Sequence, residues 1–225
     1  KERGACDYFD RTKYSEGILP IDTYKTDVDS IVENKLKYDW DGLRNDIRQH
    51  GLRHSTLSAQ MPSESSSVVS NATNGIEPPR GYLSVKKSKK GPLKQIVPQY
   101  QSLKNYYTLL WDMPSNDGYI KVVAVMQKFF DQAISGNWSY NPTHFENNEV
   151  PMSQMMQDLL NTYKLGWKTS YYQNTYDYKT DPSEMVDEPA HPVGWHDNVK
   201  EGPVERTEFN GTDEEYEEYC EACAI

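Results

Sequence analysis

The chain ends in EEYCEACAI, which places two of its three cysteines, Cys220 and Cys223, with two residues between them. A disulfide between them would close a very short loop, so it would stabilise a fold very little. Two thiols at this spacing can instead form a readily reduced disulfide and carry two electrons. The pair therefore predicts thiol–disulfide chemistry, and an incidental pair is the alternative.

A serine-rich segment, QMPSESSSVV, combines a strand-like stretch, a proline and the start of a helix. The first backbone N–H groups of a helix have no acceptor within the helix, and the helix dipole favours negative charge at that end. The segment therefore indicates a phosphate or anion site. The alternative is an ordinary helix with Ser63 or Ser65 at its N-cap, because serine is favoured there.

Two adjacent tyrosines, Tyr171 and Tyr172, follow the strand-like sequence WKTS. A pair of phenols can pass an oxidising equivalent from one ring to the next. Neighbouring residues of a regular strand point to opposite faces, so the alternative is one ring in the core and one at the surface. The spacing alone leaves both interpretations open.

Two other clusters carry weaker signals. The run VKKSKKGPLK lacks interleaved arginines and stacking aromatics, so a solvated hairpin bend is favoured over nucleic-acid binding. His191 and His196 could join Cys220 and Cys223 in a zinc set, but the two halves are far apart in the chain, so we expect no metal site. Cys6 stands alone and is interpreted as a packing residue.

These side chains must be positioned by helices and strands, and the apolar periodicity and the turn formers give their approximate bounds. The clearest helix is PMSQMMQDLLNTYKLG, whose apolar residues recur at three- and four-residue steps between Pro151 and Gly166. Helices are predicted over residues 27–36, 39–51, 63–70, 99–113, 117–135 and 151–165, and strands over 52–61, 82–85, 93–97 and 167–172.

Composition divides the chain in two. Only 36% of the residues are hydrophobic, and the segment from Gln173 to the end holds 15 acidic and 3 basic residues. Such a segment buries too little apolar surface to offset the entropy of ordering it. We therefore predict a folded part over residues 1–177 and a flexible acidic tail over residues 178–225, which carries the cysteine pair.

The sequence also gives expectations about location and completeness. It has no apolar stretch of membrane-spanning length, and its start, KERGACDYFD, has no signal-peptide hydrophobic region. An odd number of cysteines argues against a secreted disulfide scaffold, so we expect a cytoplasmic protein. Because the chain does not begin with methionine, we expect a piece of something longer.

Several strings in this order resemble a known family. They are GILPIDTY, LRHSTLSAQMPSESSSVVSNATNGIEPPRGYLSVK, NDGYIKVVAVMQKFFDQAIS, VPMSQMMQDLLNTYKLGWKTSYYQNT and the final cysteine pair. Together they resemble the C-terminal third of the large, catalytic subunit of class I ribonucleotide reductase, of the bacterial and phage aerobic type. The likeness runs from Lys1 to about Thr175, and the tail matches only by its position and its cysteines.

The resemblance implies a fold and a set of roles. The fold would be α/β, comprising the last strands of a ten-stranded α/β barrel. The substrate would be a ribonucleoside diphosphate, reduced to a deoxyribonucleotide by a radical mechanism. Tyr172 and then Tyr171 would relay the oxidising equivalent, and Cys220 and Cys223 would re-reduce the active-site disulfide. The loop that binds the substrate phosphates falls on Pro62, Ser63, Glu64, Ser65 and Ser66.

The resemblance also implies partners. These are a small subunit with a di-metal tyrosyl-radical centre, whose C-terminal peptide occupies a groove that includes helix 151–165, and thioredoxin or glutaredoxin as external reductant. The family's thiyl-radical cysteine, its redox cysteine pair and its ATP and dNTP effector sites lie upstream of Lys1, so an N-terminal large-subunit chain would be required. A non-catalytic docking module for the small subunit and a stand-alone thiol–disulfide carrier remain as alternatives.

Overall fold

The computed structural model describes residues 1–32, 36–88 and 91–177 of the chain. The predicted acidic tail over residues 178–225 lies outside the described residues, so its division from residues 1–177 stays a prediction. Within the described part, five α-helices and four β-strands alternate with short 3-10 turns. In that part, no helix combines the length and apolarity needed to cross a membrane.

The centre of the fold is a set of parallel extended segments separated by helices. Strand β3 (Ser135–Tyr140) pairs in parallel with β4 (Thr169–Thr175), with Ser135 opposite Thr169 and Tyr140 opposite Thr175. On its other side Ile134 forms a parallel bridge with Gln60. Parallel neighbours need a long crossover connection, and helix α5 (Met152–Leu165) provides the one between β3 and β4. This is the strand–helix–strand arrangement of α/β proteins.

The main hydrophobic core lies between these strands and helix α4 (Asp117–Gln127). Ile120 and Val123 of α4 pack against Ile134 and Trp138, and all four side chains are almost fully buried. Burying side chains of this size stabilises a fold by about 1.5–3 kcal/mol each, which makes this the principal source of stability around β3. Trp167 closes the core and donates a hydrogen bond from Nε1 to the Ile134 carbonyl at 2.7 Å.

A second apolar cluster lies around helix α1 (Trp40–His50), where Tyr14, Leu19 and Ile47 are buried together. The predicted helix over 39–51 is confirmed: the Asp39 carboxylate accepts from the Gly42 N–H at 2.9 Å, and Gly51 ends the helix at a φ of 73°. Such a positive φ favours glycine because it has no Cβ.

Helix α5 also follows its prediction. Pro151 occupies the N-cap position, and Gly166 ends the helix in the left-handed region with a φ of 83°. The Gly166 N–H donates to the carbonyls of Thr162 and Tyr163, both at 3.2 Å. A Cβ at Gly166 would come within 2.7 Å of the Lys25 side chain, so both the backbone angle and the close approach require glycine here.

The short helix and the hairpin are present as expected. Helix α2 (Glu64–Val69) follows Pro62, and strands β1 (Leu83–Ser88) and β2 (Gly91–Ile96) form a two-stranded hairpin. The expected strand over 52–61 is wrong for most of its length: among the described residues, its only ladder pairing is the bridge at Gln60. The helix expected over 27–36 is instead a 3-10 helix over Thr26–Ser30, with residues 33–35 outside the described part.

Two helices are shorter than predicted. The segment 99–113 forms only a single turn, α3 (Tyr100–Leu103), followed by 3-10 turns at Lys104–Tyr106 and Leu110–Asp112. The helix predicted to run from 117 to 135 ends at Gln127, because the Gln127 side chain takes over the backbone groups beyond it. Its Nε2 donates to the Phe130 and Gln132 carbonyls, and its Oε1 accepts from the Ile134 N–H. The chain thereby turns into β3, a strand that the sequence did not predict.

Candidate functional site

Tyr171 and Tyr172 form a ring pair on β4. Their ring centroids are 4.2 Å apart with the planes tilted by 58°. The two side chains are 43% and 51% exposed. The interpretation that one ring is buried and the other exposed is therefore wrong, because both rings lie together at the surface of the described chain.

A β-bulge explains why adjacent residues share one side. Gly136 pairs with Ser170, but the next pair is Trp138 with Gln173, so β4 uses two residues, Tyr171 and Tyr172, where β3 uses only Asn137. A bulge of this kind bends the strand and breaks the strict alternation of its side chains. The ring contact therefore depends on the pairing register and not on the tyrosine sequence alone.

The Asn137 side chain occupies the bulge. Its Oδ1 accepts a hydrogen bond from the Tyr172 N–H at 3.0 Å, and its Nδ2 donates to Glu77 Oε1 at 2.5 Å. Glu77 is buried, with 7% of its surface exposed. Nearby, burial and the negative charge of Glu77 raise the pKa of Tyr119 to about 12. An amide and a buried carboxylate thus lie at the bulge.

The serine-rich loop has the expected helix start but not the expected cap. Ser63 occupies the N-cap position of α2 with a φ of 59°, and its side chain makes no capping hydrogen bond. Its hydroxyl donates instead to the Met61 carbonyl at 3.2 Å, while the Ser66 hydroxyl donates to the Ser63 carbonyl at 3.3 Å. The first N–H groups of α2 are therefore not occupied by the Ser63 side chain.

The sheet register places this loop and the tyrosine pair at the same end. The Gln60–Ile134 bridge fixes one level, and three residues further on the two segments reach Ser63 and Asn137. Asn137 lies opposite the Tyr171–Tyr172 bulge. Because the segments are parallel, their carboxyl ends meet at one edge, which is where open α/β sheets hold their ligands. The side chains of residues 64 and 65 and all of Cys220 and Cys223 lie outside the described residues.

Helix α5 has an apolar face that the rest of the described chain does not cover. Met155 and Leu165 pack against the main core, and Asp158 and Thr162 are buried. The opposite side leaves five large side chains between 45% and 70% exposed. We call this set the α5 apolar face, and it consists of Met152, Met156, Leu159, Leu160 and Tyr163. Exposed apolar patches of this kind are typical of interaction surfaces.

The described residues contain no group of three or more His, Cys, Asp or Glu side chains able to hold a metal ion. The zinc set considered from the sequence, His191 and His196 with Cys220 and Cys223, lies outside the described part of the chain.

Comparison with known proteins places the strands, the loop and the tyrosine pair within one protein family. Residues 1–173 match the family described as "Ribonucleotide reductase, barrel domain". The chain belongs to this family. The family likeness expected from the sequence is thereby confirmed, and the parallel strands and helices described above are part of a ribonucleotide reductase barrel domain.

Individual relatives agree with the family. The chain is 60% identical over 188 residues to the ribonucleoside-diphosphate reductase subunit alpha of Haemophilus influenzae, covering 84% of this chain and 25% of the relative. It is 59% identical over 184 residues to subunit alpha of ribonucleoside-diphosphate reductase 1 of Escherichia coli, covering 82% and 24%. The corresponding protein of phage T4 is 45% identical over 179 residues, covering 79% and 24%. The chain spans about a quarter of the length of these relatives.

Nothing in the sequence indicated Asn137 and Glu77 in this candidate site. Glu77 is contained in the string SNATNGIEPPRG, but an isolated carboxylate gives no sign that it will be buried. Asn137 lies in SGNWSY, which the sequence did not identify as a strand. The signal that could have identified Asn137 is its position opposite the Tyr171–Tyr172 pair, and this position is known only once the pairing register of β3 and β4 is known.

Proposed function

We propose that this chain is the C-terminal part of a ribonucleoside-diphosphate reductase large subunit, which reduces ribonucleotides to deoxyribonucleotides together with an N-terminal large-subunit chain. The observation that carries the proposal is the Tyr171–Tyr172 ring pair, with 4.2 Å between centroids, on the last parallel strand of a reductase barrel domain. The names of the relatives, which are alpha subunits of this enzyme, support the same conclusion.

The two phenols would act as a relay. Tyr172 would give up an electron and its phenolic proton to an oxidising equivalent from the small subunit, whose di-metal tyrosyl-radical centre would supply it. Tyr172 then recovers a hydrogen equivalent from Tyr171, and Tyr171 recovers one from a cysteine thiol of the N-terminal chain. The resulting thiyl radical abstracts the 3′ hydrogen of the ribose. The short ring separation favours this transfer, since reacting groups must be held close together.

The loop Pro62–Ser66 would bind the diphosphate of the substrate. The left-handed backbone of Ser63 directs the chain into α2, and its side chain leaves the first helical N–H groups to the ligand. Backbone N–H groups at a helix start suit phosphate oxygens. The Ser65 and Ser66 hydroxyls would add donors, and the shared end of the sheet supports a common site for the loop and the tyrosines.

The α5 apolar face would receive the C-terminal peptide of the small subunit. Methionine side chains are flexible and polarisable, which suits an adaptable groove, and an apolar helix face is a common surface for peptide recognition. Because this face exists independently of the tyrosines, it also favours the second candidate function, a docking module without catalysis.

The acidic tail would carry the reductant. Cys220 and Cys223 would donate two electrons to the active-site disulfide of the N-terminal chain, form their own disulfide, and be reduced in turn by thioredoxin or glutaredoxin. A tether allows one thiol pair to visit both an internal site and an external partner, because it keeps the effective concentration high at both. A carrier that works alone, without a barrel partner, is the alternative for this segment.

The remaining barrel strands, the thiyl cysteine and the ATP and dNTP effector sites would be supplied by the N-terminal chain, completing a ten-stranded barrel. An incomplete sheet exposes strand edges, which is a physical reason for partnering. We further propose a cytoplasmic location, since three cysteines do not form a disulfide scaffold.

The deciding experiment is co-expression of this chain with an N-terminal large-subunit chain. We expect co-purification and, after addition of the small subunit and thioredoxin, reduction of a ribonucleoside diphosphate. Association without turnover, using a small subunit with a verified tyrosyl radical, would favour the docking module instead.

A further inference from the structure

We propose that Asn137 and Glu77 are positioning residues that hold the β4 bulge and thereby keep the rings of Tyr171 and Tyr172 in contact. This inference rests on the proposed radical relay for its functional consequence. The structural part stands on the contacts of Asn137 alone: an amide that faces a strand N–H with one atom and a buried carboxylate with the other.

The first step is the backbone. In a regular parallel ladder, the N–H groups of β4 would donate to carbonyls of β3. The bulge places two residues of β4 against one of β3, which interrupts the ladder at that level. Here the Tyr172 N–H donates to the side-chain oxygen of Asn137 at 3.0 Å. The asparagine side chain therefore replaces a ladder acceptor and removes the cost of forming the bulge.

The second step is the direction of the amide. Glu77 Oε1 accepts a hydrogen bond from the Nδ2 of Asn137, because the amide nitrogen is the donor atom of that side chain. The Oδ1 of Asn137 must then face the Tyr172 N–H, as observed. Only 7% of the Glu77 surface is exposed, so water cannot easily replace Asn137 as the hydrogen-bond partner of this carboxylate.

The third step is the anchor of β3 itself. Just before Asn137, β3 passes close to the Tyr119 hydroxyl of α4, and the Tyr119 ring meets Trp167 edge-on with 5.7 Å between ring centroids. A Cβ at the preceding residue, Gly136, would come within 2.6 Å of that hydroxyl and 2.7 Å of Trp167. At Gly136, β3 therefore lies against two aromatic side chains, which limits how far the neighbouring Asn137 can shift.

The test exchanges donor and acceptor across the pair. Asn137→Ala removes the acceptor for the Tyr172 N–H. Asn137→Asp keeps an acceptor but brings a second carboxylate against Glu77. Adding Glu77→Gln to Asn137→Asp restores a donor opposite an acceptor, with the polarity of the hydrogen bond reversed. The single Glu77→Gln exchange completes the double-mutant cycle. Gln157→Ala, an exposed amide on α5, serves as the matched control.

Three measurements are made on the chain assembled with its N-terminal companion. Amide hydrogen exchange at Tyr172 reports the hydrogen bond. The circular-dichroism difference between each protein and its Tyr171→Phe counterpart, in the tyrosine bands, reports the coupling of the two rings. Turnover of a ribonucleoside diphosphate reports the functional consequence. If Asn137 only stabilised the fold, its replacement would leave the coupling of the two tyrosine rings unchanged, so ring coupling distinguishes a positioning role from a stabilising one.

We expect Asn137→Ala and Asn137→Asp each to accelerate Tyr172 amide exchange by about tenfold or more, which corresponds to the loss of one intramolecular hydrogen bond. Ring coupling and turnover should fall with it, and Asn137→Asp/Glu77→Gln should return the exchange rate to within about twofold of the parent. Unchanged ring coupling in Asn137→Ala, or no recovery in the double variant relative to Asn137→Asp, would overturn the proposal. Retained turnover in Tyr171→Phe alone would count against the relay and not against the positioning role.

Discussion

The Tyr140 hydroxyl donates a hydrogen bond to Asp158 Oδ2 at 3.0 Å, and both side chains are buried in the interior between β3 and α5. Asn116, at the start of α4, donates to the same carboxylate oxygen at 3.0 Å and accepts from the Ser139 N–H at 2.9 Å. Gln154 donates to Asp158 Oδ1 at 3.0 Å. One buried carboxylate therefore joins α4 and β3 to α5, the helix that carries the α5 apolar face. Strand β3 in turn pairs with β4, which carries the tyrosine pair.

Replacing this carboxylate should destabilise the chain strongly. Asp158→Ala leaves the donors of Asn116, Tyr140 and Gln154 without their acceptor, so we expect a loss of about 3 kcal/mol in the free energy of unfolding. Urea titration followed by tryptophan fluorescence measures this, because Trp138 and Trp167 lie in the adjoining core. Gln157→Ala on the exposed side of the same helix should change it by less than about 0.5 kcal/mol. Equal effects would contradict the network.

A second carboxylate gives a pH dependence. Asp131 accepts from the N–H groups of Leu57 and Ser58 and from the Tyr14 hydroxyl, at 2.7, 2.9 and 2.9 Å. Burial acts to raise the pKa of Asp131, but these hydrogen bonds outweigh it and hold the pKa below its ordinary value. A lowered folded-state pKa contributes stability that is complete above the unfolded-state pKa of about 3.9 and is lost as the pH falls through the folded-state pKa.

Asp131→Asn should therefore be less stable than the parent by about 2 kcal/mol at neutral pH, and the difference should shrink as the pH falls below about 4. Urea titrations at a series of pH values measure the difference. The exposed Asp10 provides the control, since Asp10→Asn should give a small difference throughout. A gap for Asp131→Asn that stays constant down to acid pH would contradict this role.

The extent to which the sequence predicted these features depended on whether local or long-range contacts decide them. Helix α5 was predictable because its spacing, Pro151 and Gly166 are all local signals. The helix expected over 99–113 did not form because partners outside this segment hold it: the Tyr107 hydroxyl donates to the Pro98 carbonyl, and the Leu110 N–H donates to the more distant Pro79 carbonyl. Such tertiary contacts override weak helix propensity.

The candidate site shows the same limit. The tyrosine pair and the serine loop could be named from residue type and family likeness, but strand alternation gave the wrong ring placement. The bulge arises from the register between β3 and β4, and β3 was missed because Ser, Gly and Asn have low strand propensity. The burial of β3 comes from its packing against α4 and Trp167, which lie outside the strand's own sequence.

The relay predicts that turnover requires the hydroxyl groups of both Tyr171 and Tyr172. Tyr171→Phe and Tyr172→Phe keep the rings but remove the hydroxyl that releases a proton and an electron, so turnover should be abolished while association with the N-terminal chain is retained. The assay is ribonucleoside-diphosphate reduction in the assembled enzyme. Tyr106→Phe, at a ring that is 83% exposed elsewhere in the chain, should leave turnover unchanged. Turnover in either pair variant at the parent rate would remove the basis of the relay.

The tail predicts a difference between reductants. Exchanging both Cys220 and Cys223 for serine should abolish turnover driven by thioredoxin, because the shuttle can no longer form its disulfide. Turnover driven by a small dithiol that enters the site directly should be spared. Comparing the two reductants in one preparation controls for folding, and survival of thioredoxin-driven turnover would show that the tail is not the shuttle.

The α5 apolar face predicts where the small subunit attaches. Leu160 is 57% exposed on this face, and Leu160→Glu places a charge where an apolar peptide side chain would pack. Loss of one such contact costs about 1.5–3 kcal/mol, so the affinity for a peptide copying the small subunit's C-terminus should fall by about tenfold or more. Gln157→Glu adds the same charge to an exposed polar position of α5 and should change the affinity little. Calorimetric titration of the peptide measures both variants, and equal affinities for the two would place the docking surface away from this helix.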